Sequence, residues 1–232
     1  MGIKPSFSPT ILLNRSFCFT STMFEVEMKV KVKNIDQLLE ILNKRAKKDT
    51  RFENIDIYYN TTDPTRDFSK TDEAIRVRIT RFFDEDGNKT SESADLTYKG
   101  PKLDKEIKTR VEKVVKFVPE DIEALDSILS MLGLKKVLEI KKDRQLYHIN
   151  HKNNPIEIVV DCVEHLPGYY MELELQCADR CELESSKEII IDLLKEFGYG
   201  IEDSIRESYL ELILKAMSTS KKYLNDKYSL LH

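Results

Sequence analysis

Glu25-Val26-Glu27-Met28-Lys29 alternates charged and apolar residues, and valines follow it at the same period. Successive side chains of a β-strand leave on opposite faces, so the two glutamates and the lysine share one face. A helix is the alternative, because Glu25 and Lys29 would form a favourable i,i+4 pair. Unbroken alternation with β-branched residues favours the strand. Two carboxylates beside a cation indicate a site for a divalent metal that carries phosphate.

The same alternation recurs further along the chain. Arg76 and Arg78 lie on either side of Val77, and Lys142 and Arg144 repeat this spacing. The alternating segments are Glu73–Ile79, Leu96–Lys99, Arg110–Glu112, Lys142–Arg144, Ile156–Asp161 and Tyr170–Leu175. One charged pair is common on any solvated strand. Recurrence in separate segments predicts strands whose charged faces belong to one surface.

Two arrangements of these strands are compatible with the pattern. The charged faces could point to water while the apolar faces pack as a sandwich, as in many antiparallel sheets. Alternatively, the sheet closes with its charged faces inward, and helices cover its apolar exterior. About eight strands make a barrel whose interior holds side chains or one small ligand. We predict the second arrangement: an α+β fold with an eight-stranded antiparallel closed β-barrel, a charged interior and helices packed outside.

In such a barrel, the bases and acids of the alternating segments face one another. The inward bases are Lys29, Arg76, Arg78, Lys99, Arg110, Lys142 and Arg144. The inward acids are Glu25, Glu27, Glu112, Asp161, Glu172 and Glu174. The two sets nearly balance, as an interior requires, because unpaired buried charge is very unfavourable. They suit a polyanion bound through metal ions, with bases on its phosphate oxygens and acids on the cations.

Composition excludes several classes of function. The 232 residues suit one substantial domain, and a net charge of −4 with mixed acids and bases disfavours a nucleic-acid partner. No stretch approaches the ~18 consecutive apolar residues of a membrane span, so we expect no membrane partner. The four cysteines form no CxxC pair, which indicates free thiols in a reducing compartment and predicts a cytoplasmic protein.

Four amphipathic helices are predicted outside the strands. They start near Ile35, at Pro119, at Ser185 or Ser186, and at Ser204. Glycines at 133 and 198 end the second and third helices, and the fourth runs to about residue 217. Their apolar stripes should cover the outward valine and isoleucine faces of the strands.

The two ends of the chain differ from its middle. Residues 1–22 contain no acid and only Lys4 and Arg15 as charges, which resembles a targeting peptide. Their apolar run is too short for a secretory core, and the alternative is that Met23 is the natural start. We therefore predict a disordered or non-native extension over 1–22, one domain over 23–216 and a loose tail over 217–232.

The ordered series of charged segments resembles the CYTH superfamily, the triphosphate tunnel metalloenzymes. Its opening is similar to the family's ExExK signature, which is weak alone but strong with the later segments in order. Those segments are Asp56–Tyr59, Ala74–Arg78, Leu96–Pro101, Arg110–Glu112, Lys142–Tyr147, Asp161, Glu172–Glu174 and Ser208–Leu212. The resemblance spans residues 23 to about 214. It is closest to short proteins called class IV adenylate cyclases, in a family that also includes thiamine triphosphatases and inorganic triphosphatases.

The resemblance implies an antiparallel tunnel that binds a triphosphate with Mg²⁺ or Mn²⁺. It implies catalytic roles for Glu25, Glu27 and Lys29. The implied phosphate-binding residues are Lys29, Arg76, Arg78, Lys99, Arg110, Lys142 and Arg144. The implied metal ligands are Glu25, Glu27, Glu172 and Glu174, with Glu112 and Asp161 as further candidates.

Two departures from the family pattern bear on these expectations. Members often carry a glutamate where this chain has Val114, which puts the number of metals in question. The turn before the last acidic strand reads Leu166-Pro167-Gly168 and changes only a loop.

Three functions stay open at this level. The leading one is conversion of ATP to cyclic AMP and pyrophosphate, the class IV adenylate cyclase reaction. The second is hydrolysis of tripolyphosphate, a nucleoside triphosphate or thiamine triphosphate, because both reactions depend on positioning and charge neutralisation. The third is a non-catalytic module that binds nucleotide or polyphosphate. A homodimer is compatible with the sequence.

Overall fold

The fold is built on one eight-stranded antiparallel sheet. The computed structural model describes residues 24–102, 110–177 and 179–218. The strands are β1 (Phe24–Lys31), β2 (Lys47–Thr61), β3 (Ala74–Phe83), β4 (Lys89–Lys102), β5 (Arg110–Phe117), β6 (Leu134–His151), β7 (Asn154–Val163) and β8 (Tyr169–Cys177). Five α-helices accompany them: α1 (Ile35–Arg45), α2 (Phe68–Thr71), α3 (Ile122–Met131), α4 (Leu183–Glu196) and α5 (209–218).

The strand order is β1-β8-β7-β6-β2-β3-β4-β5, and each neighbouring pair is antiparallel. The predicted number of strands and their direction are therefore confirmed. Among the described residues, β1 and β5 each pair on one side only, so the sheet is a curled half-barrel and its closure is not confirmed. The curl is strong enough that side chains from both edge strands, Glu27 and Glu112, line one cavity.

The convex face of the sheet carries most of the apolar core. Val30 on β1 and Leu173 on β8 pack with Leu42 of α1 and Leu193 of α4 in one cluster, and all four are fully buried. A second cluster packs Ile55, Ile57, Tyr59 and Val77 against Leu129 of α3. Alternation explains this side of the sheet, because residues 26, 28 and 30 face the helices while 25, 27 and 29 face away. The prediction that helices cover the apolar faces holds for α1, α3 and α4.

The last helix contradicts that prediction. Tyr209 and Ile213 of α5 are buried with Ile140, Val163 and Tyr170, which lie on the concave, charged face of the sheet. Residues 204–208 were predicted to be helical, and this prediction is wrong: Ser204 forms a bridge with Val30, along the edge of β1. The helix starts later than predicted because the first residues of the predicted segment lie along the edge of β1. The helix then packs on the concave face of the sheet rather than on its convex face.

Local signals account for two of the helix ends. Pro119 opens a 3₁₀ turn that leads into α3, and Gly133, with φ of 81°, follows its end as predicted. Helix α4 begins at Leu183, before the serines expected to cap it, and Ser186 is buried within it.

Within the described residues, no helix has the length and apolar character needed to cross a membrane.

Candidate active site

A cavity of about 160 Å³ lies on the concave face of the sheet. Nine of the predicted site residues line it: Glu27, Lys29, Arg76, Arg78, Lys99, Glu112, Lys142, Arg144 and Glu172. Asp161 is fully buried on the same face, and Glu25 and Glu174 lie on it beside Glu27 without lining the cavity. Arg110 is the first residue of β5, and its side chain lies outside the part of the structure that is described.

One group of charges is centred on Asp161. Arg144 donates two hydrogen bonds to its carboxylate, from Nε at 2.7 Å and from Nη2 at 2.9 Å. The same guanidinium also contacts Glu172, whose other oxygen lies 3.2 Å from Lys29 Nζ. Burial alone would lower the pKa of Arg144, but Asp161 and Glu172 hold it well above its ordinary value. Arg144 is therefore charged and fixed by two acids at the wall of the cavity.

A second group is centred on Asp56, which the sequence analysis did not select. Arg78 binds both carboxylate oxygens, at 2.6 and 2.9 Å, and Lys142 Nζ lies 2.7 Å from Oδ2. Burial would raise the pKa of Asp56, but Lys142 and Arg78 hold it well below its ordinary range. Burial and the charge of Arg78 lower the pKa of Lys142 to about 7. The spacing of Asn54, Asp56 and Tyr58 at i,i+2 is the signal that could have placed Asp56 on the inner face.

Arg76 is incompletely bonded. It is 9% exposed, and its Nη2 donates to Thr97 Oγ1 at 3.2 Å. Its Nε is buried and has no hydrogen-bond partner among the described residues; Asp56 Oδ1 lies 3.9 Å from it, beyond hydrogen-bond distance. A buried guanidinium nitrogen without a partner is unfavourable, and an anion in the cavity would satisfy it.

Carboxylates crowd where β1 meets β8. Glu27 is the register partner of Glu174, and Glu25 lies one step along the same face. Burial raises the pKa of Glu174 to about 8, and the neighbouring charges of Glu25, Glu172 and Glu27 add to the effect. Burial and the charges of Glu27 and Glu112 also raise the pKa of Glu25. Clustered acids that resist ionisation in the absence of a cation are the donor set expected of a site for a hard divalent metal.

The segment after the 3₁₀ turn at Ile201–Asp203 completes the cavity. Lys29 holds this segment twice: its carbonyl accepts from Ile205 N at 2.7 Å, and its Nζ donates to Glu207 O at 3.1 Å. Arg206, Ser208, Tyr209 and Leu210 then line the cavity. The sequence analysis assigned this segment to an outer helix and therefore missed Arg206 as a further base at the site.

The sequence of this half-barrel matches one family. The model of the CYTH domain family matches residues 23–209. The chain belongs to the CYTH domain family. The resemblance read from the charged segments is thus confirmed, while the predicted domain boundaries at residues 22 and 216 stay predictions.

Individual CYTH relatives agree with this assignment. A Methanocaldococcus jannaschii protein that carries the provisional name adenylate cyclase is 42% identical over 192 residues, which are 82% of this chain and 98% of that protein. The structure of the Pyrococcus horikoshii protein PH1819 is 36% identical, with a TM-score of 0.70, over 83% of this chain and 99% of that one.

A more distant fold relative is a Hippeastrum protein, provisionally called an adenylyl cyclase and described as having a dominant triphosphatase activity. It is 16% identical with a TM-score of 0.59, over 83% of this chain and 96% of that one. At this identity the comparison shows the shared fold.

Another group of ligand-type side chains lies on the outer side of the CYTH domain. His151, Asp192 and Glu196 place their ligand atoms within 4.8 Å of one another. Asp192 is bonded to both His151 and Lys152, at 3.0 and 2.6 Å, and Glu196 pairs with Arg45. Neighbouring cations thus already neutralise these acids, in contrast to Glu174 and Glu25.

Proposed function

We propose that this protein is a divalent-metal-dependent enzyme that acts on a triphosphate held in the cavity of the half-barrel. The observation that carries the proposal is the convergence of bases from β1, β3, β4 and β6 on one cavity, where Arg76 Nε has no hydrogen-bond partner among the residues that the structure describes. Fixed guanidinium and ammonium groups bind phosphate oxygens strongly, and their rigid placement suits a substrate with several charges. Membership of the CYTH domain family supports an enzyme of this general kind.

The bases would divide the substrate's phosphate oxygens among them. We assign this role to Lys29, Arg76, Arg78, Lys99, Arg110, Lys142 and Arg144, and we add Arg206 from the C-terminal segment. Arg78 and Arg144 are each anchored by a buried aspartate, which presents their remaining N–H groups in fixed directions. Such preorganisation stabilises charge that develops during phosphoryl transfer without reorganisation in the reaction itself.

The metal would be held by the acids of β1 and β8. We assign Glu25, Glu27, Glu172 and Glu174 to this role, with Glu112 opposite them on β5 as a further ligand. Asp161 accepts from Arg144 and Tyr209, so we assign it to the positioning of Arg144 instead. When bound, Mg²⁺ or Mn²⁺ supplies Lewis acidity and neutralises charge on the triphosphate.

Two reactions use such a set of phosphate-binding bases and metal ligands, and each has support. Cyclisation of ATP to cyclic AMP and pyrophosphate is supported by the provisional name of the Methanocaldococcus jannaschii relative, which is 42% identical. Hydrolysis of a triphosphate is supported by the lining of the cavity. Ten of its fifteen residues are acids or bases, which suit phosphates and metal, and its uncharged members are Ala74, Ser208, Leu210 and two tyrosines. The described residues of the site suffice to bind phosphates in either case.

One experiment separates these reactions. The full chain is incubated with ATP, tripolyphosphate or thiamine triphosphate, each with Mg²⁺, Mn²⁺ or EDTA, and cyclic AMP, pyrophosphate and orthophosphate are resolved. Cyclic AMP with pyrophosphate supports cyclisation, and orthophosphate from metal-containing tubes supports hydrolysis. Binding of triphosphate without any product would show a sensing module and contradict the proposal, as would turnover that persists in EDTA.

A further inference from the structure

Strand β5 is an exposed edge of the sheet. Among the residues that the structure describes, it pairs with β4 alone. Val114, on the concave face with Glu112, is 54% exposed, and Val111 and Val115, on the convex face, are 49% and 62% exposed. The eight residues of the strand include no proline. A long edge strand with exposed β-branched side chains is a template for pairing with another strand.

The opposite edge of the same sheet, β1, already has a neighbour. Ser204 forms a bridge with Val30, and Ile205 N donates to Lys29 O at 2.7 Å. Pairing of β5 with this part of β1 would displace the segment that also lines the cavity with Arg206. These contacts favour a partner for β5 from outside the chain.

The charges of β5 are complementary to those of a second copy of the same strand. When two copies pair antiparallel about a two-fold axis at Val114, residue 112 of each copy lies opposite residue 116 of the other. Glu112 and Lys116 then form two pairs of opposite charge on the concave face. On the convex face, Val111 lies opposite Phe117. Opposite charges and apolar side chains that face each other directly across two strands stabilise the pairing.

The neighbouring registers lack this complementarity. A two-fold axis at Lys113 would set two lysines directly opposite each other, and like charges in that position are destabilising. An axis at Val115 would place Glu112 opposite Val118, without a partner of opposite charge. The sequence of the strand therefore favours the register about Val114 over those one residue to either side.

We propose that a second copy of this chain docks on β5, by antiparallel pairing of the two β5 strands about Val114, so that two half-barrels join edge to edge. Backbone hydrogen bonds along the paired edges supply affinity, and the two pairs of Glu112 with Lys116 set the register. Glu112 also contacts Lys99 at 2.6 Å, but a carboxylate has two oxygens and can take a second base. The inference goes beyond the proposed function, and its test measures association without substrate.

Sedimentation velocity of the full chain should show a dimer that dissociates on dilution. Glu112→Lys and Lys116→Glu each set like charges opposite each other at two positions, so each should raise the Kd of the dimer at least about tenfold. An equimolar mixture of these two variants restores both pairs of opposite charge in a heterodimer, and its Kd should return to within about threefold of the wild type. Lys113→Glu makes the same charge change opposite Val115, so this matched control should stay within about threefold of the wild type.

Three outcomes would overturn the inference. It is wrong if the full chain sediments as a monomer at every concentration, if Lys113→Glu weakens the dimer as much as Lys116→Glu, or if the mixture of the two charge variants stays monomeric. Thermal melting checks that each variant folds; if Glu112→Lys does not, Val114→Glu replaces it, because it sets two glutamates opposite each other at the axis. A monomer that turns over triphosphate sinks this inference alone, whereas a dimer without turnover sinks the proposed function alone.

Discussion

Tyr209 donates a hydrogen bond of 2.7 Å to Asp161, and this contact fastens the last described helix to the charged face of the sheet. Asp161 is fully buried and also binds Arg144, so one carboxylate organises both the helix and a base of the cavity. Tyr209 additionally places its ring 4.1 Å from Lys29 Nζ. The aromatic ring of Tyr209 thus forms part of the wall of the cavity.

Replacing Tyr209 with phenylalanine tests how much the hydrogen bond from Tyr209 to Asp161 stabilises the fold. The ring keeps its packing against Tyr170 at 5.5 Å, but a buried carboxylate loses a donor. We expect the free energy of unfolding in urea to fall by about 1–2 kcal/mol. Tyr170→Phe removes a hydroxyl from the residue opposite Asp161 on β8 and keeps the hydrogen bond between Tyr209 and Asp161, so it should change stability by less than about 0.5 kcal/mol. Equal effects of the two substitutions would show that the hydrogen bond is unimportant.

Arg76 should bind substrate, whereas Arg81 on the same strand should not. Arg81 faces outward and pairs with Glu53 and Glu92 at 3.0 and 2.7 Å. We expect Arg76→Gln to raise KM for tripolyphosphate at least about tenfold, because charge-assisted bonds to a phosphate are lost from a buried position. Arg81→Gln is the matched control. Substrate affinity that depends equally on both residues would indicate a general charge effect rather than a site.

Arg76 and Arg81 show which features of the site could be predicted from the sequence alone. The period-two pattern is local, so it correctly placed Arg76, Arg78, Lys142 and Arg144 on one face and predicted their common cavity. Asp56 was included only in the segment Asp56–Tyr59 and was not assigned to the site, because its neighbours at i±2 are uncharged, although they lie on the same face as Asp56.

The last helix could not be placed from its own residues. An apolar stripe packs equally well on either face of a curled sheet, and the choice depends on partners remote in sequence. Tyr209 finds Asp161, 48 residues away, and Lys29 holds Glu207, 178 residues away.

Glu174 offers a test of the metal assignment. Glu174→Gln should lower kcat at least about tenfold and raise the Mg²⁺ concentration needed for half-maximal rate, because the cluster loses a ligand. In EDTA the same variant should melt at a higher temperature than the wild type, because it removes an acid whose ionised form is disfavoured in the folded protein by burial and by the charges of Glu25, Glu172 and Glu27. Glu139→Gln, on the exposed outer face of β6, should do neither. Unchanged metal dependence in Glu174→Gln would contradict the assignment.

Lys142 should couple ligand binding to proton uptake. Its pKa of about 7 in the free protein lies well below the ordinary value of a lysine, because burial and the charge of Arg78 disfavour the ammonium form. A bound polyanion favours that form and raises the pKa, so binding above pH 7 should take up a proton at this residue. Titration calorimetry with tripolyphosphate at pH 8, in two buffers of different ionisation enthalpy, measures the uptake directly.

The lowered pKa of Lys142 also determines how its contribution to stability changes with pH. Between pH 7 and the pKa of the unfolded lysine, the unfolded chain holds a proton that folded Lys142 has released. The contribution of Lys142 to the free energy of unfolding therefore rises with pH in this window and is smallest below pH 7. Lys142→Met should remove both the proton uptake at pH 8 and this part of the pH dependence of melting. Lys136→Met is the control on the same strand, because Lys136 is exposed and pairs with Asp126 at 3.0 Å outside the cavity. Proton uptake of equal size in both variants would place the titrating group elsewhere.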